Sequence, residues 1–255
     1  MKKILSKIFW YSISSKEKVE KYQQIIRDEE WEQIKDYIPK NSKFIDVGCG
    51  AGYSLMRATI DLNCEVVGID ADPGAHGVGR FVKKIVDPIS IRQGFAEKLP
   101  YEDASFDVVY SSHVLEHVDS ENKALKEMYR VLKENGVLII GMPTASMASL
   151  NYLSQVVFTT HIKVYEFFRN ILSPNAFKKF IKIFRISSHS YPRANSIWYD
   201  IIHYRIRNWE RIVGKEFKIK HVIKPCFYPY PDFPQFFKQY KSRYFSSSVF
   251  FICKK

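Results

Sequence analysis

Apolar positions along this chain alternate between two spacings. From Lys16 to Ile38 the residues Val19, Tyr22, Ile25, Ile26, Trp31, Ile34, Tyr37 and Ile38 recur at three- and four-residue steps. That is the period of a helix with one buried stripe. Ser14 or Ser15 can cap its start and Pro39 stands just past its end. Short unbroken apolar runs then alternate with helical patterns. "KFIDVG" reads as a strand, "GYSLMRATIDL" as a helix, "CEVVGID" as a second strand and "ISIRQ" as a weaker one. "FDVVYSS" is a clear strand, "DSENKALKEMYRVLK" an amphipathic helix capped by Asp119 or Ser120 and ended by Asn135-Gly136, and "GVLIIGMP" a buried strand. Continuous apolar strands of this kind belong to parallel sheets covered on both faces.

Beyond Pro143 the pattern changes. Apolar-basic helical stretches, "VVFTTHIKVYEFFRNIL" and "NAFKKFIKIFR", are separated by Ser173-Pro174. "ANSIWYDIIHYRIRNWERIVG" predicts one long amphipathic helix, "FKIKHVIKP" a half-exposed strand, and "SSVFFICKK" a last strand after the proline-rich "PCFYPYPDFP". Strand–helix–strand alternation with short connections predicts an α/β fold with a doubly wound sheet. Four segments are expected: an N-terminal helical extension (1–40), a ligand-binding core (41–143), a helical insertion (144–194), and a final helix with a strand pair completing the sheet (195–255).

Charge sharpens this division. Residues 1–143 carry 20 basic and 22 acidic side chains; residues 144–255 carry 19 basic and only 5 acidic, so the net +12 resides in the second part. Aromatics divide 14 to 25 across the same cut. A basic, aromatic second part suggests an anionic partner. With 46% hydrophobic residues in 255, the chain can bury a sizeable core. Its four cysteines lack CxxC spacing and have no histidine within four residues, so they read as reduced, mostly buried thiols rather than metal ligands. No apolar run approaches the roughly 20 residues of a membrane span, and "MKKILSKIFW" lacks the form of a secretory signal. A cytoplasmic protein is expected, soluble or peripheral at the inner face of a membrane.

The chemistry concentrates in "FIDVGCGAGYS", Phe44 to Ser54. A Walker loop requires a lysine after its last glycine, and here Tyr53 and Ser54 follow Gly52. The dinucleotide spacing G-x-G-x-x-G would place a glycine at Tyr53. The observed spacing is Gly48, Gly50, Gly52, with Asp46 two residues ahead. An aspartate there repels a pyrophosphate and favours a positively charged ligand portion. Asp70, at the tip of the second strand, can accept from both ribose hydroxyls. The site therefore suits a nucleoside with a cationic, non-phosphate tail, and S-adenosylmethionine is the candidate.

Residues 44–143 resemble a class I S-adenosylmethionine-dependent methyltransferase of the type 11 branch, through "FIDVGCGAGYS", "VVGIDAD", "GFAEKLPYEDASFDVVYSSHVLEHV" and "RVLKENGVLIIGMP" in that order. The resemblance implies a seven-stranded Rossmann-like sheet with the basic, aromatic insertion after the fifth strand. It places Asp46, Gly48, Gly50 and Gly52 at the methionine part of the cofactor, and Asp70 at the ribose with Ala71 and Asp72 beside it. Ala96 and Glu97 fall in the adenine loop, and Ser111 and Ser112 near the cofactor ammonium. One departure stands out: Phe95 occupies the position before Ala96 where the family commonly carries an acidic residue.

Methyl transfer is an in-line displacement that the protein mainly aligns, and a hydroxyl acceptor gains from a general base. His113 and His117 in "SSHVLEHV" follow the strand facing the cofactor, and His189 in "SSHSYP" resembles a histidine of glycan-modifying relatives; these three are the candidate bases, with no metal site expected. His203, within an amphipathic helix, reads as packing or surface. The expected acceptor is a saccharide or lipid-linked intermediate of the cell envelope, with an anionic membrane surface as a further contact, since "NAFKKFIKIFR" is basic and amphipathic. RNA or another small molecule is the second reading, and a non-catalytic cofactor-binding assembly subunit the third.

Overall fold

A computed structural model describes residues 16–74, 91–153, 196–228, 242 and 244–255. The expected helices within 154–185, His189, and the proline-rich loop beyond residue 228 lie outside the described residues.

Seven strands form one sheet: β1 (Lys43–Val47), β2 (Glu65–Asp70), β3 (Ile91–Gln93), β4 (Phe106–Ser112), β5 (Leu132–Pro143), β6 (Lys218–Ile223) and β7 (Ser248–Lys254). Their order is β3-β2-β1-β4-β5-β7-β6. The first five run parallel, whereas β7 is antiparallel to both β5 and β6. The chain builds outward from β1 to β3 and then returns to lay β4 on the other side of β1. Strand order thus reverses between β1 and β4, where doubly wound sheets open a crevice beyond their carboxyl ends.

Among the described residues, five α-helices flank the sheet: α1 (Lys16–Ile34), α2 (Tyr53–Leu62), α3 (Glu121–Val131), α4 (Ile197–His203) and α5 (Ile206–Val213). Side-chain alternation along the strands assigns each residue to one of two cores. Phe44, Val108, Tyr110, Val137, Ile139, Phe250 and Ile252 face α1 and α2, packing on Trp31, Ile34, Leu55 and Met56. Ile45, Val109, Leu138, Ile140, Phe251 and Cys253 face the opposite way, onto Leu125, Met128, Tyr204, Trp209 and Val213. This is the three-layer arrangement expected of the alternating pattern. All four cysteines are buried, and none is in a disulfide.

The structure differs from the sequence expectation at two boundaries. Helix α3 ends at Val131, because Leu132 turns to extended backbone and pairs with Phe106. Asn135-Gly136 therefore lies in a register irregularity of β5 rather than at a helix end. The single helix expected over 194–214 is, from residue 196 on, two helices broken at Tyr204-Arg205. Tyr204 is fully buried, stacks on Trp209, and gives its carbonyl to the Ala145 N–H at 2.9 Å. The Trp209 indole donates to the Pro143 carbonyl at 2.9 Å, which satisfies its polar edge inside the core.

Helix α1 is part of the domain core through Trp31, Ile34 and, just beyond it, Ile38. Arg57 of α2 holds it from outside. Its guanidinium donates to Asp28 at 2.7 Å, Glu32 at 2.8 Å and Asp61 at 2.8 Å, and lies 5.9 Å from the centre of the Trp31 ring. Asp61 also accepts from the Trp31 indole at 2.8 Å, so one carboxylate serves both elements. Among the described residues no helix is long and apolar enough to cross a membrane.

Candidate cofactor site at the carboxyl ends of β1, β2 and β4

The glycine loop leaves β1 and enters α2 in the space of five residues. Gly48, Gly50 and Gly52 all have positive φ (82°, 52° and 82°), a backbone region that side chains disfavour. A Cβ on Gly48 would also strike the Val114 side chain, so this residue answers both a conformational and a steric demand. The loop is drawn over β2: the N–H groups of Gly48 and Cys49 donate to the Ile69 carbonyl at 2.7 and 3.1 Å.

Asp70 locks the loop to its own strand tip. One carboxylate oxygen accepts from the Gly50 N–H at 2.7 Å and the other from the Asp72 N–H at 2.8 Å. An ionised carboxylate offers about four acceptor positions. Two remain on this half-buried side chain, matching the two donors of a ribose diol. Ala71 and Asp72 continue the exposed strand tip.

Asp46 is different in kind. It is buried at the carboxyl end of β1, where Oδ2 accepts from the Ser54 hydroxyl and Oδ1 has no partner among the described residues. Burial raises its pKa from 3.8 to about 7; the Ser54 hydrogen bond opposes the shift and the nearby Asp70 charge adds to it. A buried carboxylate oxygen lacking a donor is costly, and a cationic group arriving from the ligand supplies what is missing. The residues present thus fit the cofactor expected from the sequence: Asp46 for its positive end, Asp70 for its ribose.

Past β4 the other expected residues assemble. Ser111 donates its hydroxyl to the Val47 carbonyl at 2.8 Å, cross-linking β4 to β1 beneath the loop, and Ser112 pairs with Gly141. His113 follows with φ +58°, its N–H bound to the Gly141 carbonyl at 2.9 Å. Its Nδ1 stands 3.4 Å from Glu116 Oε1, while Nε2 has no partner among the described residues. Burial, aided by the positive charge of Arg27, pushes the His113 pKa down to about 3. The imidazole is therefore neutral at physiological pH and a weak proton acceptor. His117 is more exposed, with Nε2 3.9 Å from the same Glu116 oxygen. The two histidines expected at this site thus flank one buried carboxyl group. His203, expected to be packing or surface, is partly buried: it stacks on Tyr199 and its Nε2 lies 3.0 Å from Glu121.

The loop after β3 carries the remaining expected residues. Ala96 is buried. Glu97, expected at the adenine, has an oxygen engaged elsewhere: Oε1 accepts from the N–H groups of Asp119 at 2.8 Å and Ser120 at 3.4 Å, tying the loop to the start of α3. Arg130 reinforces this strap through the carbonyls of Leu99 and Tyr101.

Sequence reasoning passes over Ser54, Glu116 and the Arg27–Glu30 pair. Arg27 donates to Glu30 at 2.6 Å; Glu30 is buried and also accepts from Ser248 at 2.5 Å. Ser54 had a readable signal, a hydroxyl in the first turn after the glycine loop. Arg27 and Glu30 stand at the i, i+3 spacing of an ordinary surface ion pair, and the burial of Glu30 had no signal, because its other partners, Tyr228 and Ser248, lie at the far end of the chain.

Comparison with known proteins agrees with this geometry. Residues 45–140 match a family described as a methyltransferase domain. The chain is 31% identical over 106 residues to a sterol 4-C-methyltransferase of Caenorhabditis elegans, covering 40% of this chain and 31% of the relative. It is 33% identical over 111 residues to a ubiquinone biosynthesis O-methyltransferase of Pelagibacter ubique, covering 43% and 45%. The chain thus spans less than half the length of these curated relatives. A solved S-adenosylmethionine-dependent methyltransferase of Mesorhizobium loti shares the fold, with a TM-score of 0.54 at 15% identity over 89% of this chain and 98% of that one. Over residues 45–140 the chain is thus similar to a methyltransferase domain, and it shares its fold with solved S-adenosylmethionine-dependent methyltransferases.

Proposed function

We propose that this protein transfers a methyl group from S-adenosylmethionine to a hydroxyl oxygen of a saccharide or lipid-linked glycan intermediate. The observation that carries the donor half is Asp46, whose buried Oδ1 awaits a cationic donor beside the ribose-ready Asp70. The acceptor half rests on the excess of 14 positive charges and the 25 aromatics in residues 144–255. Aromatic faces suit sugar rings, and basic side chains suit phosphate linkages.

When bound, the cofactor supplies a methyl carbon activated by its positive sulfur, which leaves as a neutral thioether. The chain's part is alignment and proton removal. Asp46 and Asp70 fix the donor at two points, and Ser111 holds β4 against β1 so that the post-β4 turn keeps its place. His117, the more exposed of the two histidines, takes the proton released by the acceptor hydroxyl; neutral His113 offers Nε2 as a hydrogen-bond acceptor.

Calorimetric titration with S-adenosylmethionine tests the donor half: binding is expected, and Asp70→Ala is expected to weaken it more than about ten-fold. Absence of binding, or an unaffected D70A variant, overturns the reading. For the acceptor, labelled methyl should enter lipid-linked saccharide extracts; incorporation into RNA instead would replace the glycan proposal.

A further inference from the structure

The loop after β3, which the resemblance makes the adenine loop, carries an aromatic ring at Phe95. Phe95 is 64% exposed, one of the most exposed large apolar side chains described. Single exposed apolar residues need no explanation in general, but this one stands beside the ribose anchor. Gln93 is the β3 residue in register with Asp70, and the next residue, Gly94, donates its N–H to the Asp70 carbonyl at 2.9 Å. Neighbouring strands lie about 4.8 Å apart. A base carried by a ribose on Asp70 therefore extends across the beginning of this loop, where Phe95 stands.

Two polar side chains flanking Phe95 in sequence already have partners among the described residues. Gln93 Nε2 donates to the Ala71 carbonyl at 3.0 Å. Glu97, the carboxylate nearest in the loop, faces the N–H groups that precede α3. Ala96 offers only a buried methyl. The loop's exposed side chains here are Phe95, Lys98 and Pro100; none of them carries an acceptor for an amino group, and only Phe95 carries an aromatic face.

Resting on the cofactor reading above, we infer that Phe95 is the stacking platform for the adenine and that no side chain of this loop reads the 6-amino group. Affinity for the base then comes from ring–ring contact, which tolerates changes at the base edge because every purine keeps its π face. A site that hydrogen-bonds an amine rejects an analogue lacking it, since its own polar group is left unpaired. A stacking site carries no such penalty.

The test titrates the full chain calorimetrically with S-adenosylhomocysteine and with its 6-deamino purine analogue. The wild type should bind the two within about three-fold of each other. Phe95→Ala should weaken both by the same factor, about ten-fold, while Phe95→Tyr stays within about two-fold of wild type. Since the ring is exposed, F95A should keep the thermal midpoint of the parent. Installing an acceptor with Phe95→Asp should create a preference for the amino form. An F95A variant that binds as the wild type does, or a wild type that rejects the deamino analogue by more than about ten-fold, would overturn the inference while leaving the cofactor reading intact. Failure of the wild type to bind S-adenosylhomocysteine at all would instead overturn the cofactor reading, and this inference with it.

Discussion

Asp46→Asn should stabilise this protein at alkaline pH while impairing its binding site. In the ligand-free fold the Asp46 carboxyl is buried, one oxygen lacks a donor, and its pKa rises from 3.8 to about 7. The sign follows from proton counting. Between about pH 4 and pH 7 the folded chain keeps a proton that the unfolded chain has released, so stability falls as pH rises through this window and levels off above it. At 1.36 kcal/mol per unit, the loss from this group between pH 5 and pH 8 is about 3 kcal/mol. Asparagine does not titrate and can still accept from Ser54, but its amide N–H₂ takes the place of the unpartnered oxygen, at a cost of about 1–3 kcal/mol. The cost is the same at both pH values. The stability difference between D46N and wild type should therefore move in favour of the variant by about 3 kcal/mol from pH 5 to pH 8. Urea unfolding without ligand, followed by the fluorescence of the buried Trp31 and Trp209, measures that difference directly. Background titrations common to both proteins cancel in the subtraction. A difference constant with pH within about 0.5 kcal/mol would mean that Asp46 is ionised throughout, and the account of a carboxyl held protonated until its cationic partner arrives would fail. The same group links binding to pH: below pH 7 cofactor binding must expel a proton, so affinity should drop by up to ten-fold per unit of acidification.

Two further variants probe the scaffold. Gly48→Ala places a Cβ against Val114 at a φ of +82° and should cost about 2 kcal/mol in urea unfolding; adding Val114→Ala should recover the steric part but not the backbone part, and full recovery would show that the positive φ is unstrained. Arg57→Ala removes the clamp between α2 and α1. With Glu32 and Asp28 substantially exposed, the loss should be only about 1–2 kcal/mol, reduced further by added salt, and a salt-independent loss would place the effect in the Trp31 contact instead.

The fold was legible because each strand carries its own apolar run and each run is bounded by a turn or cap. The alternation of Phe250, Phe251, Ile252 and Cys253 between two cores needs nothing beyond local sequence. The break at Tyr204-Arg205 was not legible, since α4 and α5 bury the same side of the chain and the apolar period runs through the gap. Only the Ala145 N–H, nearly sixty residues earlier, shows why the Tyr204 carbonyl leaves the helix. Leu132 is a similar case: its pairing with Phe106 overrides a helical pattern that would otherwise run on to Asn135-Gly136.

At the site, the sequence identifies which residues matter more readily than the state they are in. The spacing of Asp46, the three glycines and Asp70 argues for a cationic nucleoside, yet it treats both aspartates as charges of equal standing. Burial separates them. Asp70 is engaged by two N–H groups and remains open to solvent, whereas Asp46 sits beneath the loop with an oxygen unsatisfied. The same separation divides the histidines: His113, buried beside Glu116, is held neutral, while His117 four residues later reaches solvent. Glu97 shows the converse. Its place beside Ala96 suggests a ligand contact, but α3 begins where that carboxylate can accept the Asp119 and Ser120 N–H groups, so it braces the loop. With Glu97 Oε1 drawn away, the departure at Phe95 bears on the proposed adenine contact: an exposed ring stands where the resemblance leads one to expect a carboxylate, and on that proposal the grip on the donor shifts from the base edge to the base face.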